Sequence, residues 1–213
     1  MKMKEKQQAL AILRGLYPDA KPALHYKTPY ELLVAVVLSA QCTDERVNKV
    51  TAVLFEKYDT PEKMITLSQS ELEHYIFSCG FYRMKAEHIL SASRDILEKF
   101  DGKVPETIEE LMSLAGVGKK TANVVYSVAF GGAAIAVDTH VFRVSNRLGL
   151  AKGKTPLAVE AGLQKAIPKE DWASAHHWLI WHGRKICHSR KPACAQCALN
   201  GVCDYAKAHE KKK

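Results

Sequence analysis

Four cysteines, Cys187, Cys194, Cys197 and Cys203, follow the spacing C-x6-C-x2-C-x5-C. Thiolates so close on one short segment suit a tetrahedral zinc ion or a 4Fe–4S cluster. Zinc ribbons usually pair two C-x2-C knuckles and only one is present, so the spacing favours the cluster over zinc, with unliganded structural cysteines third. Arg190 and Lys191 lie between the first two of these cysteines, inside the sequence His188-Ser-Arg-Lys-Pro192. A loop closed by metal ligation and rich in cations can hold a phosphate; it can equally be a solvated charged turn.

A second stretch with chemical potential is Leu114-Ala-Gly-Val-Gly-Lys-Lys-Thr-Ala122. Gly116 and Gly118 bracket a single apolar residue between two helical patterns. That pairing permits a tight turn and leaves backbone N–H groups unobstructed. With the following helix N-terminus they form an anion site suited to a nucleic-acid phosphate. Lys119 and Lys120 fall in the first turn of that helix, where a cation is disfavoured. The neutral amine is the form a nucleophilic lysine requires. An ordinary helical hairpin with solvated lysines fits the same residues.

Asp138, in Asp138-Thr-His140, is placed as an N-cap, or as a carboxylate for proton transfer with Lys120. Gln41 and the pair Phe81-Tyr82 lie at two interhelical turns. Polar and aromatic side chains there can fill the space left by a base extruded from duplex DNA, or can be caps and core. Cys42 and Cys79 lie outside the cluster spacing and read as small buried residues. His176, His177 and His182 lack a metal-site spacing and read as structural or surface residues.

The elements that carry these residues are all helical. Apolar periodicity marks helices over 4–17, from Thr28-Pro29 to about Ala40, after the Gln41–Asp44 interruption through Val47, Val50, Val53, Leu54 and Phe55, and from about Arg83 to Phe100. In the first of these, Leu10, Ile12, Leu13 and Leu16 form the apolar side. Short helices start at Thr60-Pro61 and at Ser68, where Glu71 completes a capping box. Thr107 with Glu110 starts the first hairpin helix, and the second runs through Val124, Val125, Val128 and Ala129. An apolar segment, Ala133 to Val137, leads to helices over Thr139–Leu148, from Thr155-Pro156, and over 171–186. No stretch alternates long enough to form a sheet, so the chain is all-α. The Lys211–Lys213 tail is expected to fray.

The 213 residues carry a formal net charge of +8 and a pI near 9.1, which suits an anionic partner. The basic N-terminus lacks an apolar signal core, and the run Leu32–Leu38 is too short to cross a bilayer. A cytoplasmic protein is expected, with no membrane partner. In a reducing compartment six cysteines argue for metal ligation over disulfides.

Taken together these residues resemble the endonuclease III family of helix-hairpin-helix DNA glycosylases. The resemblance rests on Leu38-Ser-Ala-Gln-Cys-Thr-Asp44, Leu114-Ala-Gly-Val-Gly-Lys-Lys-Thr-Ala-Asn123, Val137-Asp-Thr-His-Val-Phe-Arg-Val144 and the four cysteines, in that order. It implies a 4Fe–4S cluster on those cysteines, Lys120 as Schiff-base nucleophile and Asp138 as catalytic aspartate. It also implies two helical lobes flanking a groove: a barrel of residues 22–132 containing the hairpin, and a cluster domain joining 1–21 to 133–213. The implied activity is excision of oxidised pyrimidines from double-stranded DNA by a monomer, with β-elimination 3′ to the abasic site. DNA contacts would come from Gln41, Phe81, Tyr82, Gly116, Gly118, Lys119, Arg190 and Lys191. Two positions depart from the family pattern: Ala115 replaces the proline before Gly116, and Phe81 replaces a leucine. The rivals are an adenine-mismatch glycosylase, a branch that lacks the hairpin lysine, and a non-enzymatic DNA-binding scaffold.

Overall fold

Hydroxyl and carboxylate side chains set most of the helix starts. Thr28, Thr43, Thr60, Ser68, Thr107, Asp138 and Thr155 each accept a hydrogen bond from the backbone N–H three residues ahead. Each thereby satisfies a first-turn donor that has no partner within its own helix. Ser68 and Glu71 form a complete capping box. Two other acidic residues close their turns differently. Glu31 accepts from the N–H of Lys27 at 2.6 Å, and the Glu110 carboxylate accepts from the Thr107 hydroxyl at 2.7 Å.

The computed structural model describes residues 1–210, so the tail Lys211–Lys213 lies outside the described residues. Among the described residues the regular elements are α1 (Met3–Leu16), α2 (Pro29–Leu38), α3 (Asp44–Leu54), α4 (Pro61–Met64), α5 (Gln69–Ile76), α6 (Tyr82–Lys99), α7 (Ile108–Ser113), α8 (Lys119–Ala129), α9 (Thr139–Leu148), α10 (Pro156–Ala166), α11 (Trp172–Lys185) and α12 (Asp204–Glu210), with short 3-10 turns near the C-terminus and no strand. The all-α expectation holds.

The chain divides into two compact units, Pro22–Gly132 and a discontinuous one made of Met1–Lys21 with Ala133–Lys213. In the first, α2 is the central element. Tyr30 through Leu38 are all buried, and the helix packs against α3, α6 and α8. Each fully buried leucine or valine there contributes about 1.5–3 kcal/mol of burial free energy. In the second unit α11 packs on α9 and α1, around Leu13, Val141, Leu163 and Leu179. The apolar side expected for α1 is narrower than the sequence suggests: Ala9, Leu10 and Leu13 are buried, whereas Leu16 is 45% exposed. Helix α12 has no counterpart in the sequence reading. It is seven residues long, too short and polar to show a period, and Ala206 is its buried apolar residue.

Candidate active site and cysteine centre

The glycine-rich turn joins α7 to α8. Leu114 and Val117 are buried on either side of Gly116, and Val117 N–H donates to Leu114 C=O at 3.2 Å, so apolar anchors fix the turn from below. Gly116 has φ +74°, and a Cβ there would lie 2.7 Å from His88 Nδ1. Conformation and space both demand glycine. Gly118 is different: its φ is −86° and a Cβ would meet nothing within 4 Å. The protein's own packing leaves that position open. Gly118 is the N-cap of α8 and supplies no capping side chain, so the first-turn amides lack the side-chain partner found at most other helix starts. Lys119 and Lys120 begin the helix and are both exposed. The turn forms with Ala115 in place of proline.

Gln41 and Phe81 belong to two turns that the structure brings together. Both have left-handed backbones, with φ 54° and 58°, a conformation that costs on the order of 1–3 kcal/mol for a non-glycine residue. Both side chains are exposed, Phe81 by 59%. A Cβ on Gly80 would lie 3.6 Å from the Gln41 carbonyl oxygen, so the turns lie side by side. Tyr82 is half-buried against the core, with the Arg83 guanidinium 5.6 Å from its ring centre. Phe81 is therefore the projecting member of that pair. Beneath the turns Lys85, which sequence reading passed over, is only 4% exposed. Its Nζ donates to Leu38 C=O at 2.8 Å and to Ala40 C=O at 2.7 Å. Desolvation, the largest cause, holds its pKa below the usual lysine value.

Asp138 caps α9, with Oδ1 accepting from Val141 N–H at 2.7 Å. The capping reading is correct, and the bond fixes the orientation of the carboxylate. The preceding segment is buried from Ala134 through Val137, and His176 Nδ1 lies 2.7 Å from the Ala136 carbonyl oxygen. Burial, the largest cause, lowers the pKa of His140, two residues beyond Asp138. Lys120 belongs to the Pro22–Gly132 unit and Asp138 to the other.

Cys187, Cys194, Cys197 and Cys203 line one pocket with apolar neighbours such as Leu148 and Leu199. All four are free thiols. Four cysteine sulfurs on one apolar-walled pocket are a donor set that can hold a metal centre. Burial raises the Cys197 and Cys203 thiols above their ordinary pKa, and the neighbouring cysteines raise them further. Such thiols ionise readily only beside a metal cation. Arg147 Nη1 lies 3.6 Å from Cys187 Sγ and His182 Nε2 lies 3.5 Å from Cys197 Sγ. His182 is buried, as a structural residue should be, and desolvation pulls its pKa down to about 4, so the ring is neutral at pH 7.

Arg147 also donates to His188 C=O at 2.6 Å and to Ser189 C=O at 2.9 Å. It thereby fixes the loop that carries the exposed Arg190 and Lys191. Its place at the end of α9, beyond the quoted motif, gave no sequence signal for that role. Cys79 is fully buried outside this pocket, and desolvation followed by the adjacent Cys42 pushes its thiol up to about 11.

A family model described as HhH-GPD superfamily base excision DNA repair protein matches residues 34–169. The chain is 50% identical over 208 residues to a protein of Synechocystis sp. named Endonuclease III, covering 96% of this chain and 95% of that one. It is 47% identical over 213 residues to Endonuclease III of Bacillus subtilis, covering 100% and 97%. Among solved structures, a trapped endonuclease III–DNA covalent intermediate, in an estranged-adenine complex, superposes with a TM-score of 0.94 at 48% identity and 99% coverage of both chains.

Proposed function

We propose the function of this chain from one premise: it belongs to the endonuclease III family of the HhH-GPD superfamily of base excision DNA repair proteins. It is a DNA glycosylase and AP lyase that removes oxidised pyrimidines from duplex DNA and cleaves the strand 3′ to the abasic site. It acts as a cytoplasmic monomer. The observation that carries this reading is Lys120 at the exposed start of α8, in a fold one of whose relatives has been trapped covalently on DNA. The adenine-mismatch branch lacks that lysine, and a passive scaffold has no use for it.

The amides of the Gly116–Gly118 turn and the start of α8 hold a backbone phosphate, while Arg190 and Lys191 engage another. Gln41 and Phe81 enter the stack as the damaged nucleotide swings out. The Lys120 nitrogen attacks C1′ through its lone pair. The C1′–N bond breaks, its electron pair leaves with the base, and the base takes up a proton. Asp138 accepts the proton lost from the lysine nitrogen and returns one to the ring oxygen as the sugar opens to the protonated imine. That imine acidifies C2′–H; solvent water takes the proton, the C2′=C3′ bond forms as the C3′–O bond breaks and the 3′ phosphate leaves, and a second water hydrolyses the imine to release the lysine.

The four cysteines fit a 4Fe–4S cluster, which would cross-link the segment from Cys187 to Cys203 through four thiolates.

Borohydride reduction of the imine tests the reading directly. Wild type should give a covalent protein–DNA adduct and Lys119→Gln should give it too. Lys120→Gln should bind lesion DNA yet yield neither adduct nor cleavage. An adduct from Lys120→Gln at the wild-type level would remove Lys120 from the mechanism.

A further inference from the structure

Helix α2 ends without a basic residue in its last turn, although its terminal carbonyl groups carry partial negative charge. The missing cation comes from another helix. Lys85, in the second turn of α6, is buried to 4% exposure and donates to Leu38 C=O and Ala40 C=O. One ammonium thus spans the end of α2 and the residue immediately before Gln41. On its own helix it lies one turn after Phe81, whose carbonyl accepts the Lys85 N–H at 3.1 Å. The backbone and side chain of one residue therefore grip both turns whose exposed residues hold left-handed backbones. A buried lysine is costly unless its donors are satisfied, and here the carbonyl groups of both the helix end and the Gln41 turn satisfy it.

We infer that Lys85 is a positioning residue for nucleotide extrusion, holding the Gln41 turn against the Gly80–Phe81 turn so that both side chains enter the duplex in register. The inference rests on the proposed role of Gln41 and Phe81 in DNA. Lys85 touches no substrate. Its effect is confined to the unstacking step, which is hardest for a fully paired base and easiest for one already unpaired.

The test is single-turnover excision by the cluster-loaded enzyme, in excess over DNA, on two duplexes. One carries an oxidised pyrimidine opposite its normal partner; the other carries the same lesion opposite a tetrahydrofuran spacer, which has no base and cannot undergo the lyase step. Lys85→Met keeps the length and removes the donors. It should slow excision about tenfold or more on the paired duplex and by no more than about threefold on the spacer duplex. Lys85→Arg, which keeps a cation, should recover most of the loss. Equal slowing on both duplexes, or none on the paired one, overturns the inference. If Lys85→Met does not fold, Lys85→Gln, whose amide can reach one carbonyl, supports the same comparison under the same criteria. Gln41→Ala and Phe81→Ala are measured alongside. If neither slows the paired duplex, the reading of the two turns has failed and the inference falls with it. If they do and the Lys85 variants do not, the inference alone fails.

Discussion

Gly116 and Gly118 differ by two positions in sequence and by the kind of demand placed on them. Gly116→Ala forces a Cβ against His88 in a left-handed backbone, so the expected outcome is a stability loss of about 1–3 kcal/mol or more, read by denaturant unfolding. Gly118→Ala meets open space at an ordinary φ. It should fold normally and, on the proposed phosphate contact, weaken DNA binding. Equal stability losses for the two would place Gly118 in the packing after all. His177 supplies a pH-dependent test. Desolvation, followed by the charge of His176, pulls its pKa to about 3 from an ordinary value near 6.5. The unfolded chain therefore binds a proton that the folded chain refuses between those limits, and stability must fall as pH drops from about 6.5 toward 3, by up to about 1.4 kcal/mol per pH unit. His177→Gln should make that slope shallower in acid unfolding, and an unchanged slope would assign it to other groups.

Helix α9 does two jobs with its two ends. Asp138 caps the start, and Arg147 in the last turn holds the carbonyl groups of His188 and Ser189. Arg147→Ala should raise amide hydrogen exchange across 188–192 while leaving α2 and α8 protected; unaltered exchange in the loop would mean that cysteine ligation alone orders it. Most helix starts were legible because caps are local chemistry, a hydroxyl or carboxylate three residues from the N–H it satisfies. The hairpin was legible for the same reason, since two glycines and a buried valine are enough to define it. What was not legible depended on distant residues. In α8, Val124 and Val128 are only half-buried, while Asn123 and Ser127 are buried; which face turns inward is set by the packing of α2 and α7. Lys85 reads as one more surface cation until α2 ends above it.

The whole molecule is basic, with 31 Lys and Arg against 23 Asp and Glu. DNA affinity should fall with salt at a logarithmic slope of about −0.9 per phosphate neutralised. Replacing Arg190 and Lys191 by alanine should make that slope shallower on damaged and undamaged duplex alike; an identical slope would leave them as solvated charges. Purified protein should contain about four irons and four sulfides per chain, and stoichiometric zinc without iron in anaerobic preparations would rule out the cluster. The division into a continuous unit and one built from both ends of the chain also has a meaning in time. At about 5–20 residues per second, the stretch 22–132 leaves the ribosome as a complete folding unit. Helix α1, with Ala9, Leu10 and Leu13 still unburied, waits about 10–40 s from its own synthesis until Cys203 is made. The proposed cluster can be completed only after Cys203 emerges, so on that reading iron starvation should leave newly made chains with the 22–132 unit formed and the unit that carries Asp138 still open to proteases.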